Sequence, residues 1–325
     1  MQFTARALVA VATAFTLSSV AHAQSYPSKP INLIVPFAAG GPTDVVARVL
    51  GASMAKSLGQ AVVIENKTGA GGTLAGAYTA RSAPDGYTFL IHHNGMATAP
   101  ALYRKLPYNP LTDFEYVSQV IDVPMTVVGR KDLPAKNFGE LVTYLKENGS
   151  KVNLAHAGLG AVSHLCGVLF RQAVGTDLST IPFQGTGPAV NALMGGHVDL
   201  LCDQTTSTTP FIKAGSLATY GVTTRTRIKT FPELPTLDEQ GLKGFQMVVW
   251  HGIYAPKGTP KEATEKFGAA LRKALKDPEV MKKLDELGAV IVPENKQTPE
   301  GLRVWLAEET ARYAPVIKAA GQFAD

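Results

Sequence analysis

One pattern constrains this chain more than any other: a short apolar run, a glycine-bearing turn, then a helical pattern, repeated almost throughout. Ile31–Val35 reads as a buried strand, followed by a glycine turn and a helix from about Pro42 to Leu58. Ala61–Glu65 and Thr73–Arg81 repeat the unit. Further strands are read at Thr88–Ile91, Thr126–Val128, Val152–Ala155, Leu178–Ile181, Val198–Cys202 and Met247–Val249. Helices are read at Phe138–Glu147, Ala161–Ala173, Gly187–Met194, Pro260–Lys276 and from Pro299 to about Ala320. Strands alternating with helices predict parallel sheets and an α/β class.

A length of 325 residues suits two domains. Neither a 20–50-residue repeat nor a low-complexity linker divides them, so the crossings between domains must be short. The apolar stretches Val120–Val128 and Phe245–Tyr254 are the candidates. Lobe one then comprises residues 24–122 plus 249–325, and lobe two comprises residues 123–248.

Residues 1–23 read as an export signal. Arg6 supplies the positive start, Ala7–Val20 the 14-residue apolar run, and Ala21-His22-Ala23 the cleavage site. Such a run is too short to span a bilayer. Cleavage after Ala23 would release the chain into an oxidising compartment. There the only two cysteines, Cys166 and Cys202, either pair or remain two small buried hydrophobes.

The net charge of +5 comes from scattered basic residues, with Lys282-Lys283 among the few adjacent pairs. Nucleic-acid binders concentrate theirs in patches. The basicity therefore bears on solubility and on anionic small molecules, and no nucleic-acid partner is expected.

Three glycine loops share one design. Pro36–Asp44, Asn66–Thr73 and His156–His164 each connect a strand to a helix start, where unpaired N–H groups favour an anion. In α/β sheets, ligands gather beyond the carboxyl ends of the strands, where such loops lie. None of the three has the lysine of a Walker A loop or the third glycine of a dinucleotide fingerprint. No G-x-S-x-G elbow, no H-E-x-x-H and no i, i+4 histidine pair occurs either. Neither a cofactor, a metal nor a catalytic residue is expected.

Taken together, the spaced motifs Ile34–Asp44, Val63–Asn66 with Gly69–Gly72, Pro84–Thr88, Lys105–Tyr108, Ser163–Leu165 and Pro182–Gly185 resemble a known family. It is that of the periplasmic solute-binding proteins of tripartite tricarboxylate transporters, the Bug or TctC-like receptors. The resemblance covers essentially the whole mature chain. It implies a two-lobed Venus-flytrap fold, each lobe a mainly parallel sheet flanked by helices, closing on a small organic anion. One ligand carboxylate would lie among Phe37, Ala39, Gly40, Gly41, Asp44, Gly71 and Gly72. The far end would meet Gly158, Gly160, Ala161 and Ser163, with Thr186 and Asp203 as further candidates. His92, His93 and Asn94 depart from the small or hydroxyl residues that the family leads one to expect, and the two imidazoles could flank a planar ligand.

The reading is thus a periplasmic receptor that delivers a di- or tricarboxylate, an aromatic one such as terephthalate included, to membrane subunits of such a transporter. Two alternatives stand beside it: an exported hydrolase-like enzyme using Ser163 or His164 near Asp203, and a ligand sensor for a signalling partner.

Overall fold

The computed structural model describes residues 26–321. The expected export signal lies outside them.

Strands β1 (Ile31–Val35), β2 (Val62–Asn66) and β3 (Thr88–His93) run parallel in the order β2-β1-β3. Helices α1 (Pro42–Leu58) and α2 (Thr73–Arg81) make the crossovers. In α1, Val46, Leu50, Met54 and Leu58 recur every four residues, so one buried stripe faces the sheet. Helix α1 ends at Gly59, whose left-handed φ of 69° lets its N–H reach the Ala55 carbonyl.

Helix α3 (Gly95–Leu102) leads to β4 (Phe114–Arg130), a strand of 17 residues that belongs to both sheets. Its first part pairs antiparallel with β9 (Val248–Pro256), which itself lies antiparallel on β3. Its last part pairs antiparallel with β7 (Leu200–Gln204) and β8 (Leu217–Val222). The handover is sharp: Pro124 is in register with Val248 of the first sheet, Met125 with Gln204 of the second. Proline has no N–H to give a ladder and so suits this junction. Between α4 (Phe138–Asn148) and β7 lie β5 (Asn153–His156) and β6 (Ser179–Pro182), parallel to each other, with β7 parallel on the other side of β5.

The chain returns at Met247-Val248. Buried Thr223 joins the two crossings: its hydroxyl donates to the Met247 carbonyl at 2.6 Å and accepts the Met125 N–H at 3.1 Å. Helices α5 (Val162–Val174), α6 (Thr186–Met194) and α7 (Thr205–Lys213) flank the second sheet. The first is covered by α8 (Lys261–Leu275), α9 (Pro278–Glu286) and α10 (Pro299–Ala320), with β10 (Val290–Ile291) pairing on β4. Phe267 of α8 stacks on Phe89 of β3, both without exposure.

The cysteine question is settled in favour of pairing. Cys166 of α5 and Cys202 of β7, 36 positions apart in sequence, form a disulfide with Cα atoms 6.1 Å apart. The bond ties α5, and with it the loop before it, to the sheet. Closing such a loop contributes about 4 kcal/mol in the chain-entropy model. The double change Cys166→Ala, Cys202→Ala is therefore expected to lower the melting temperature by about 6 °C. A differential scanning fluorimetry trace checks this.

Candidate functional site

A cavity of about 250 Å3 opens between the two sheets at the carboxyl ends of β1, β2, β5 and β6. Four loops border it. Phe37 and Ala38 precede α1, Thr68–Gly72 precede α2, Ala157–Leu159 precede α5, and Pro182–Gly185 precede α6, with Tyr103 alongside. Not one lining residue carries a charge. The volume lies below the roughly 300–1,000 Å3 of drug-sized pockets, which fits a small solute. A larger hollow of about 610 Å3 lies elsewhere, among Thr224–Thr230 and Met281–Ile291, away from the glycine loops.

The helices that start at this cavity share one trait. Their N-cap residues, Gly41, Gly72, Ala161 and Gly185, offer no side-chain cap. Of the other helices, α4, α9 and α10 are capped by Asn137, Asp277 and Thr298, while α3, α7 and α8 also lack a side-chain cap, so it is the convergence of four such starts on one cavity that matters. Helix starts leave N–H groups without intrahelical partners. Four uncapped starts around one cavity make a neutral lining attractive to an anion.

The first loop is held from below. Asp44, 1% exposed, accepts the Gly40 N–H at 2.9 Å, Arg48 Nε at 2.8 Å and Asn66 Nδ2 at 2.9 Å. Asn66 Nδ2 also donates to the Phe37 carbonyl at 2.8 Å. Burial alone would raise the Asp44 pKa. The Arg48 guanidinium, the Gly40 amide and the Asn66 amide outweigh it and hold the carboxyl below its ordinary range. Asp44 thus shapes the loop rather than bordering the cavity. Asp44→Ala leaves three donors without their acceptor, and a loss of about 2 kcal/mol in stability is expected. Calorimetric unfolding reads it.

In the second loop four consecutive residues have positive φ: Gly69 at 130°, Ala70 at 45°, Gly71 at 61° and Gly72 at 98°. Turning N–H groups inward in succession makes an anion-binding concavity. Side chains are excluded at two of these positions by close packing. A Cβ on Gly71 would sit 2.2 Å from the Leu159 carbonyl oxygen, and one on Gly72 would sit 2.7 Å from His92 Nε2.

Of the sixteen residues expected from the sequence, Phe37, Gly71, Gly72 and Gly158 line the cavity. Ala39, Gly40 and Gly41 continue the first loop behind it. Gly160 and Ala161 continue the third, the Ala161 N–H donating to the Gly158 carbonyl at 3.1 Å. Ser163 is 2% exposed, and its hydroxyl accepts the Ala157 N–H at 2.9 Å, so it braces that loop. Thr186 donates to Asp203 at 2.8 Å, and the other carboxylate oxygen accepts the Gln204 N–H at 2.7 Å. Burial pushes the Asp203 pKa up to about 6. Asn94 links the crossing instead, accepting the Trp250 N–H and donating to the Val248 carbonyl. Ala38, Thr68, Leu159 and Gln184 also line the cavity from within the expected loops and the Pro182–Gly185 motif, and Tyr103 lines it from outside every motif.

His92 and His93 lie one layer below, each 1% exposed. The rings expected to flank a planar ligand stack on each other instead: Phe37 lies parallel to His93, ring centroids 4.7 Å apart. The His92 Nδ1 accepts the His93 N–H at 2.8 Å, which places the proton of the neutral ring on Nε2. That N–H finds no partner and lies against Gly72. Burial pushes His92 and His156 down to about 4 and His251 to about 3, so all three are neutral at pH 7. Among the described residues no group of three His, Cys, Asp or Glu side chains is arranged to hold a metal ion.

Known proteins place this geometry. The chain is similar to the periplasmic binding protein BugD, 49% identical with a TM-score of 0.89 over 91% of this chain and 99% of that one. MatC (Rpa3494) from Rhodopseudomonas palustris, solved with bound malate, is 40% identical with a TM-score of 0.87 over 90% and 100%. Rpa4515 of R. palustris, solved with adipate, is 32% identical with a TM-score of 0.87 over 91% and 98%. The fold is accordingly the two-lobed α/β fold of periplasmic binding proteins. Residues 46–322 match the family described as "Tripartite tricarboxylate transporter family receptor", and the chain belongs to that family, whose members are solute receptors and not enzymes.

Proposed function

We propose that this protein is a periplasmic receptor that captures a small dicarboxylate in the 250 Å3 cavity and delivers it to the membrane subunits of a tripartite transporter. The observation that carries the reading is the cavity's wall: four uncapped helix starts, a run of left-handed residues and no charged side chain. Malate in MatC and adipate in Rpa4515 support the carboxylate class. The sheets that meet at Pro124-Met125 act as the cores of two lobes. Their division falls between Pro124 and Met125 and between Met247 and Val248, within two residues of the bounds expected from the sequence, 24–122 plus 249–325 and 123–248.

One carboxylate of the solute meets the backbone of the Phe37–Gly41 and Gly69–Thr73 loops. The other meets the loops before α5 and α6. Hydrogen bonds to a charged group contribute about 1.5–3 kcal/mol each. A few at each end, less the ordering cost, reach the roughly −8 kcal/mol of a micromolar binder. Two cations beside the first two loops are already engaged: Arg48 with Asp44, and Lys67 with Glu65 at 2.6 Å. An aromatic dicarboxylate such as terephthalate would meet three rings on the cavity wall, Phe37, Tyr103 and Phe183, one face of Phe37 being already covered by His93. Support for linear acids comes from the malate of MatC and the adipate of Rpa4515.

Isothermal titration against malate, adipate, a tricarboxylate, terephthalate and the corresponding diamides tests the proposal. Micromolar binding of at least one acid and none of the diamides is expected. Binding confined to neutral solutes or amines would sink it.

A further inference from the structure

The two walls of the cavity touch each other through groups that belong to the protein alone. Tyr103, at the end of α3, reaches across so that its hydroxyl donates to the Leu159 carbonyl at 3.2 Å. Gly71 of the opposite wall sits so near that a Cβ there would lie 2.2 Å from the same carbonyl oxygen, 2.9 Å from the Tyr103 hydroxyl and 3.2 Å from the Gly160 Cα. A Cβ on Gly160 would in turn meet the Tyr103 hydroxyl at 3.2 Å. At a second point, a Cβ on Gly185 would be in van der Waals contact with Ala38 at 3.4 Å. Tyr103, Gly71 and Ala38 hang from the first sheet, Leu159, Gly160 and Gly185 from the second.

We propose that Tyr103 and Gly71 form, with the Leu159 backbone, a latch that holds the two lobes closed and so governs how long a solute is retained. The inference rests on the two-lobed closing receptor proposed above, and it adds a positioning role for Tyr103 that no sequence motif marks. A side chain, a bare Cα and a carbonyl meet in one spot, and each is needed. The hydroxyl supplies the bond, the glycine supplies the clearance, and the left-handed Gly160 (φ 82°) brings the strand-to-helix loop up to them.

The latch consists of protein atoms only, so it is testable without any solute. Cysteines placed at exposed Arg81 and Met194, one on each lobe, take spin labels while Cys166 and Cys202 stay locked in their disulfide. Pulsed dipolar distances on the ligand-free mature protein then report the closed-to-open ratio. Losing one neutral hydrogen bond changes an equilibrium by a factor of about 2–13, so Tyr103→Phe is expected to lower the ratio roughly fivefold with an unchanged melting temperature. Gly71→Ala, which puts a methyl group into the Leu159 carbonyl, is expected to remove the short-distance population. Wild-type ratios in both variants would overturn the latch, as would a wild-type protein with no short-distance population. If carboxylates fail to bind in the titration, the proposed solute class falls, whereas these distances still decide the latch.

Discussion

Replacing Gly72 with alanine is expected to weaken solute binding at least a hundredfold while leaving the protein folded. Two costs coincide at this residue. Its φ of 98° lies outside what an L side chain readily adopts, a penalty of about 1–2 kcal/mol. The new Cβ would also stand 2.7 Å from His92 Nε2 and 3.1 Å from Pro36 Cβ. The imidazole has little room to yield, since it packs against Gly95, where a Cβ would lie 2.6 Å from its Cε1. The loop gives way instead: the Gly72 N–H bond to the Gly69 carbonyl at 2.9 Å and the Thr73 N–H bond to the Ala70 carbonyl hold its turn, and as they yield the loop loses the shape that the solute is proposed to meet. Two charge-assisted hydrogen bonds lost together amount to about 3–6 kcal/mol, or two to four orders of magnitude in Kd. Titration calorimetry with the best carboxylate, beside a melting curve, separates the binding loss from unfolding. An affinity within tenfold of wild type would show that this loop does not hold the solute.

The second large effect is acid lability. His92, His156 and His251 are buried and neutral, with pKa values pushed to about 4, 4 and 3 from the ordinary 6.5. Below pH 6.5 the unfolded chain takes up protons that the folded chain refuses, so stability falls as pH falls. Each group costs about 1.4 kcal/mol per pH unit until its folded pKa is reached. Together the three give a slope of about 4 kcal/mol per unit, and His93, driven down by burial and by its two histidine neighbours, adds to it. Asp203 opposes them. Its folded pKa of about 6 means the folded carboxyl gains its proton first, returning about 1.4 kcal/mol per unit below pH 6. The net expectation is a loss of about 3 kcal/mol per unit between pH 6 and 4.5, enough to unfold a protein of ordinary stability. Melting temperatures at half-unit steps from pH 7 to 4 measure it. A flat profile would contradict the assignment, and His251→Gln is expected to make the profile shallower by about half, since one histidine supplies about 1.4 of the net 3 kcal/mol per unit.

Much of the fold was legible because its units are local. Strand, glycine turn and helix succeed one another within thirty residues, and the periodicity of each survives in the sequence. Where tertiary context decides, the reading ran short. Strand β4 was read only at Thr126–Val128, because its 17 residues carry no single alternation: different parts serve different sheets with different faces buried. Helix α7, with four threonines, Ser207 and Pro210, and helix α3, with Pro100, look like loops by propensity and are helical because packing overrides it. Strand β8 and helix α9 were passed over as well.

The site was legible as loops and not as contacts. Glycine clusters mark where the backbone must turn tightly, which located the three strand-to-helix loops correctly. Whether a polar residue beside such a loop faces the cavity or braces the loop depends on partners far away in sequence. Asp44 is claimed by Asn66, Asn94 by Trp250 and Thr186 by Asp203. Tyr103 carries no signal at all, since its role comes from a carbonyl 56 residues away.

The central claim is that backbone amides and not charged side chains hold an anion between the four loops. A crystal structure of the protein with the acid that binds best in titration tests it most directly. The account predicts one carboxylate within hydrogen-bond distance of N–H groups from the Phe37–Gly41 and Gly69–Thr73 loops, with no lysine or arginine nitrogen in contact. A carboxylate paired with a guanidinium or ammonium group, or a solute seated in the hollow beside Arg227 and Lys282, would contradict it.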